Sequence, residues 1–362
     1  MSKTHNFGAG PCILPQIVFE QASKGVFDPD GGQFNGLSIL EISHRSEAFV
    51  SIMEEARGLV RELLEVPDNY TVLFLQGGAS LGFLINAMNM AGAQRKAGYI
   101  NTGAWSTKAM KEAKVAGLEV IEIASSSDQN FNYIPKDFEV EELDFIHMTS
   151  NNTIFGTQFH DLPKVNVPLV CDMSSDIFSK KIDVSKFDLI YAGAQKNLGP
   201  AGATLYIVKN DCLNQSSLKP IPSYLDLNVH AGKDSMFNTP PVFSVYVSML
   251  NLRHLKATGA VAEMEKVNNM KASELYAEID RNSLFKGTAA KEDRSKMNVT
   301  FVLTDESKKE VWDKIWNDAN IVGLKGHRSV GGYRASMYNA LELESVEVLT
   351  KIMRDFEAQY QS

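Results

Sequence analysis

A lysine, Lys196, stands between two apolar runs in the stretch Phe187-Asp-Leu-Ile-Tyr-Ala-Gly-Ala-Gln-Lys-Asn-Leu-Gly-Pro-Ala-Gly202. The runs, 189–192 and 203–208, read as buried strands, so the chain delivers an ammonium to the end of a sheet. Burying an ammonium is costly unless it is paired or gives up its charge. A desolvated lysine lowers its pKa and becomes a nucleophile toward a carbonyl carbon. A lysine facing water at a strand end is the plainer reading of this stretch taken alone. Three other places bear on the choice. Gly77-Gly-Ala-Ser80 joins a strand to a helix. Free N–H groups there attract a phosphate and glycine lets backbone approach it. The turn matches neither the dinucleotide fingerprint nor the P-loop, and a purely structural turn is the alternative. Trp105 follows a strand ending at Asn101; it can cover the face of an aromatic ligand or pack as core under a helix. Asp172 follows the run 168–171. A carboxylate there can keep a pyridine nitrogen protonated, or cap the segment that follows, as Ser174, Ser175 and Asp176 suggest. Together the four supply a phosphate cradle, a stacking ring, an acid for a ring nitrogen and a Schiff-base lysine at successive strand ends. That combination points to pyridoxal 5′-phosphate on a large α/β domain.

The elements that must position these residues follow from periodicity. Apolar stretches at 71–75, 97–101, 119–123, 145–149 and 168–171, with the two around Lys196, predict strands. Helices are expected at 15–24, 46–64, 81–90 and 105–116, with 6–15 irregular and 28–37 a loop. Strand alternating with helix argues for a mostly parallel sheet, whose ligands lie at the carboxyl ends of its strands. After Pro241 the pattern changes: long helices at 242–257 and 259–279, a strand at 297–303, a helix at 306–319, a short strand at 334–337 and a closing helix at 343–360. This predicts a smaller C-terminal α+β domain.

With 362 residues, 44% of them apolar, the chain can bury a large core. A net charge of −8 with scattered basic residues speaks against nucleic-acid binding. No run of about 18 apolar residues exists to span a membrane, and the first residues lack the apolar core of a signal peptide. Cys12, Cys171 and Cys212 are far apart and show no metal-ligand spacing. No metal and a reduced, cytoplasmic setting are expected.

Five stretches carry a resemblance to a known family: Asn6-Phe-Gly-Ala-Gly-Pro11, Ser43-His-Arg45, Tyr191-Ala-Gly-Ala-Gln-Lys-Asn-Leu-Gly-Pro-Ala-Gly202, Ser235-Met-Phe-Asn-Thr-Pro-Pro241 and Lys325-Gly-His-Arg-Ser-Val-Gly-Gly-Tyr-Arg-Ala-Ser336. Over nearly its whole length the chain resembles the phosphoserine aminotransferases, within the class V aminotransferases of fold type I. The resemblance implies a large domain with a mostly parallel seven-stranded sheet over 16–260 and a small domain over 1–15 and 261–362. It implies that Lys196 binds the cofactor as a Schiff base, Asp172 pairs with the pyridine nitrogen, Trp105 stacks on the ring and Thr153 meets the 3′-oxygen. Ala79, Ser80 and Gln195 would bind the cofactor phosphate. Asn238 and Thr239 would reach the phosphate in a neighbouring subunit, so a homodimer with shared sites is expected. Arg334 would clamp the substrate α-carboxylate, and His44, Arg45, His327 and Arg328 would receive the distal phosphate or the glutamate side chain. Arginine suits both anions because its planar fork meets either bidentately. Many members carry an arginine where Ser80 stands, which leaves this chain one positive charge fewer near the phosphates.

The implied reaction is transamination between O-phospho-L-serine and 2-oxoglutarate, giving 3-phosphooxypyruvate and L-glutamate, with phosphohydroxythreonine of pyridoxine synthesis as a second substrate. A cysteine desulfurase would need a mobile thiol in the C-terminal part, and the last cysteine is Cys212. A serine–glyoxylate type aminotransferase would not need two His-Arg pairs. A nicotinamide dehydrogenase lacks its G-x-G-x-x-G and gives Lys196 no role. A non-catalytic scaffold gives no role to any of the four.

Overall fold

A computed structural model describes residues 3–27, 34–140, 142–215, 220–328 and 330–361. Part of the loop expected at 28–37, namely 28–33, and Ser329 of the motif 325–336 lie outside them. In chain order the elements are β1 (His5–Asn6), α1 (Gln16–Val26), α2 (Glu47–Leu63), β2 (Tyr70–Leu75), α3 (Gly78–Met90), β3 (Lys96–Asn101), α4 (Ala104–Val115), β4 (Glu119–Ser125), β5 (Phe145–Thr149), β6 (Leu169–Asp172), β7 (Leu189–Gly193) and β8 (Thr204–Lys209). There follow α5 (Asn210–Gln215), α6 (Leu227–Ala231), α7 (Val242–Ala257), α8 (Ala260–Arg281), β9 (Phe285–Gly287), β10 (Asn298–Leu303), α9 (Lys309–Asp318), β11 (Ile321–Val322), β12 (Tyr333–Ser336) and α10 (Leu343–Tyr360).

The expected α/β sheet has seven strands in the order β2-β8-β7-β6-β5-β3-β4. All are parallel except β8, which runs antiparallel to both neighbours. The reason lies in the connection. Helical crossovers return the chain for parallel pairing, whereas the short turn after β7 can only reverse it. Gly193 therefore pairs with Thr204, and everything between them, Lys196 included, projects from one edge of the sheet.

Side chains alternate across this sheet with period two. Val72, Phe74, Ile190, Ala192, Leu205 and Ile207 enter the core formed with α1, α2 and α7. Leu73, Leu75, Leu189, Tyr191, Tyr206 and Val208 enter the other, with residues of α3 and α4. α2 shows why such helices form here. Ser46 caps it by accepting from the Phe49 N–H, and Phe49, Ile52, Met53, Ala56, Leu59, Val60 and Leu63 bury one face at helical spacing. A third core gathers Phe7 with residues from 272 to 356, around the antiparallel sheet β12-β10-β9.

Several elements differ from expectation. β9 is a three-residue strand, and β1 pairs with β11 across more than three hundred residues; neither is long enough to show a period. α3 begins at Gly78 rather than at 81, because Gly77 takes φ +107° and turns the strand directly into the helix. The helix expected from 306 is a 3₁₀ turn, 306–308, followed by α9. No helix of the described residues is long and apolar enough to cross a membrane.

Candidate active site

The carboxyl ends of β2, β3, β5, β6 and β7 all face one edge, as parallel strands require, and a cavity of about 340 Å³ opens there, a size suited to a small ligand. It is lined by Ala79, Ser80, Trp105, Thr153, Asp172, Gln195, Lys196, His327 and Arg334, all singled out from the sequence. Ala9, Gly10, Gly78, Thr149, Asn151, Ile154, Ser174 and Ser175 complete the wall.

Lys196 is 9% exposed and donates to Thr153 Oγ1 at 2.7 Å. Burial lowers its pKa to about 8; the Asp172 carboxylate works against that shift and the Arg334 guanidinium adds to it. The lysine turn is propped from behind by the N-terminal segment. Cys12 N–H donates to Gln195 O at 3.1 Å and its thiol to Lys196 O at 2.7 Å. Gly10, at φ +131°, lies so close that a Cβ would touch Lys196 Cγ at 3.5 Å. Burial pushes the Cys12 thiol up to about 12, so it is no rival nucleophile.

Asp172 ends β6 in the buried interior. Burial raises its pKa, and hydrogen bonds from Ser174 oppose the shift. Ser174 donates to Oδ1 from its N–H at 2.9 Å and its hydroxyl at 2.6 Å. The two readings of this aspartate are therefore compatible: Oδ1 caps the turn that follows while the carboxylate lines the cavity. Ser174 Oγ also accepts from Gly193 N–H at 3.0 Å, which ties β6 to the lysine strand.

Trp105 stands in the first turn of α4, with its Nε1–H buried and without an acceptor among the described residues. Lys108 Nζ lies 4.4 Å from its ring centroid. At the start of α3 the first intrahelical bond is Leu81 N–H to Gly77 O, so the N–H groups of Gly78, Ala79 and Ser80 precede it and have no helical partner. A helix N-terminus of this kind favours an anion. Arg334, on β12, is 9% exposed and donates from Nη1 to Thr153 O at 3.1 Å. Its Nε–H is buried without a partner, and no carboxylate among the described residues pairs with it. A buried guanidinium without a counter-charge is costly until an anion arrives. His327, beside it, has its pKa lowered by burial and by the positive charges of Arg334, Arg328 and Lys108.

These groups fit a phosphorylated pyridine aldehyde. The cavity offers an amine of lowered pKa, a buried carboxyl group, an indole, and unpaired N–H groups at a helix start. Five of the residues singled out are not in this wall. Arg45 and Arg328 are exposed, and His44 is half-buried in the turn before α2. Asn238 and Thr239 lie just before α7, where Thr239 O accepts from Gln76 Nε2 at 2.7 Å. Ala9, Gly10 and Asn151 were missed by residue chemistry, because their contribution is backbone approach and buried hydrogen bonding. The Gly-Ala-Gly-Pro run was the one signal that pointed to the first two. Among the described residues no cluster of His, Cys, Asp or Glu is placed to hold a metal ion.

A family model for class-V aminotransferases matches residues 4–349. A phosphoserine aminotransferase of Flavobacterium psychrophilum is 56% identical over 359 residues, covering 98% of this chain and 99% of that protein. The solved phosphoserine aminotransferase of Bacillus circulans subsp. alkalophilus superposes with a TM-score of 0.93 at 39% identity, over 99% of each chain. The PLP-bound phosphoserine aminotransferase of Trichomonas vaginalis gives 0.91 at 33% identity, over 97% of this chain and 100% of that one.

Proposed function

The chain belongs to the class-V aminotransferases, and from that premise we propose that it transfers the amino group of O-phospho-L-serine to 2-oxoglutarate with pyridoxal 5′-phosphate as cofactor. The products are 3-phosphooxypyruvate and L-glutamate. One observation carries the reading. A buried lysine of lowered pKa and a buried aspartate line one cavity with an arginine that lacks a counter-anion.

When bound, the cofactor supplies an aldehyde that condenses with amines and a pyridinium ring that takes up the electron pair released at the substrate Cα. The chain's residues do the rest. Asp172 keeps a proton on the ring nitrogen, which requires the carboxylate to be ionised; the Ser174 bonds to Oδ1 favour that state. Trp105 covers the ring face and Thr153 meets the 3′-oxygen. Ala79, Ser80 and Gln195 hold the phosphate, the first two through the start of α3. Arg334 binds the substrate α-carboxylate and fixes the Cα–H bond toward Lys196. Lys196 Nζ, as a free amine, takes the Cα proton and later returns it.

His327, Arg328, His44 and Arg45 receive the distal phosphate. Asn238 and Thr239 reach the cofactor phosphate of a second copy of the chain, so the active unit is a homodimer. Exposed apolar side chains support such an interface: Phe27 is 75% and Leu40 63% exposed, and Phe237 at 41% adjoins Asn238. The chain divides into a large unit over 16–260 and a small one over 1–15 and 261–362. The setting is the serine pathway in the cytoplasm; phosphohydroxythreonine, with the same two anions, is a second substrate that serves pyridoxine synthesis.

The test is a visible absorption spectrum of the purified protein during titration with O-phospho-L-serine. A cofactor band that converts to the pyridoxamine form is expected. A band that phosphoserine leaves unmoved overturns the substrate, and no band even with added cofactor overturns the cofactor.

A further inference from the structure

Lys271, on α8, is wholly buried and donates to three backbone carbonyls: Met337 O at 3.1 Å, Tyr338 O at 2.9 Å and Leu341 O at 3.0 Å. A neutral amine has two N–H donors and cannot serve three acceptors; an ammonium has three and serves all of them. Burial drives its pKa down to about 7 against a raising contribution from Cys12, and three converging carbonyl oxygens are acceptors that favour the charged form. No carboxylate among the described residues offsets the charge. A charge in this position costs more than an apolar side chain of the same shape, so packing alone does not account for it.

The three carbonyls belong to one turn, 337–341, and that turn is joined to the chain neighbours of both Arg334 and Lys196. It leaves β12 three residues after Arg334. Its Asn339 N–H donates to Asn197 Oδ1 at 3.0 Å, and Asn197 follows Lys196. Asn268, one helical turn before Lys271, holds the same turn by donating to Asn339 Oδ1 at 2.9 Å. The helix α8 thus grips, with one cation and one amide, the peptide that connects Arg334 to the lysine turn.

We propose that Lys271 is a positioning residue for the transamination: by gathering the carbonyls of 337–341 it sets the distance and orientation of Arg334, which receives the substrate carboxylate, relative to Lys196, which moves the proton. This rests on the function proposed above.

The test compares Lys271→Met, Lys271→Gln and, as a control of similar packing loss, Leu275→Ala on the same helix. Amide hydrogen exchange is read first, on protein free of cofactor. Peptides covering 197 and 339 should exchange faster in Lys271→Met and keep wild-type protection in Leu275→Ala. In the cofactor-loaded enzyme, Lys271→Met should lower kcat/KM for O-phospho-L-serine by about a hundredfold, the scale of a misplaced reacting group. Lys271→Gln, which keeps two donors, should fall between it and wild type, and it decides the matter if the methionine variant does not fold. Exchange and kinetics in the Lys271 variants that match Leu275→Ala would overturn the proposal. Faster exchange in Lys271→Met, together with a wild-type protein that does not turn over phosphoserine, would overturn the substrate reading and leave the positioning role of Lys271 standing.

Discussion

Two side chains in the cavity are held in states they would not adopt in water, and each gives a prediction. An ordinary lysine titrates near 10.4, whereas Lys196 is brought to about 8 by burial. Below pH 8 the amine is protonated and inert; above it the lone pair is free. The rate at which cofactor-free protein takes up pyridoxal phosphate, followed at the visible band, should therefore rise with pH and level off just above 8. A rate still climbing at pH 10 would place the lysine in solvent. Lys196→Ala should lack turnover altogether, as judged by a coupled glutamate assay. Arg334 makes the converse case: on the proposed function, its burial serves binding and not folding. Arg334→Met should raise KM for O-phospho-L-serine by about a hundredfold, on the order of 2–5 kcal/mol for a truncated charge pair. It should leave the melting temperature of the cofactor-free protein unchanged or higher, because an uncompensated buried charge is removed. A fall of several degrees would show that Arg334 is a structural residue. Lys196, Asp172 and Trp105 were legible because each follows a strongly apolar run. The burial of Arg334 was not, since it depends on Thr153, 181 residues away, accepting its Nη1–H.

At the scale of elements, the seven strands of the large sheet could be read from their apolar character, which in β5, β6 and β7 reflects burial on both faces, whereas the edge strand β4 has no fully buried residue. The short strands β1, β9 and β11 could not, because two or three residues carry no period and their pairing is non-local. The start of α3 was misread for a different reason. Helix propensity counts Gly77-Gly78 against a helix, but the strand must turn at once, and φ +107° at Gly77 is what lets it. The same geometry makes a sharp prediction. A Cβ on Gly77 would come within 2.4 Å of Leu81 Cδ2 and 2.6 Å of Leu81 Cβ, so the helix start must shift to accept it. Gly77→Ala should cost about 1–3 kcal/mol of stability, the range for a side chain forced into such a conformation, measured as a lower urea midpoint. It should also weaken cofactor binding, because the N–H groups of 78–80 move with the turn. Unchanged affinity in a folded variant would remove the phosphate from this helix.

For the whole molecule, what one chain lacks is as informative as what it has. The cavity is lined from within the chain by the lysine, the aspartate, the indole and one arginine, yet His44, Arg45, Asn238, Thr239 and Arg328 stand outside its wall. If Thr239 serves the neighbouring subunit's phosphate, its defects must appear in the partner's site. Thr239→Glu would set a carboxylate against that phosphate and empty the site it faces, and Lys196→Ala disables its own. Each variant alone should be inactive. Mixed in equal amounts, unfolded and refolded together, they should form mixed dimers as half of the population. In a mixed dimer the subunit carrying intact Lys196 faces intact Thr239 across the two-fold interface, so one of its two sites is whole. Activity should recover to about a quarter of wild type, half the dimers with half their sites, following two-fold symmetry. If Thr239 instead acted on its own chain's cavity, both sites of every mixed dimer would be defective and the mixture would stay inactive. The recovered fraction therefore reports which chain completes the site.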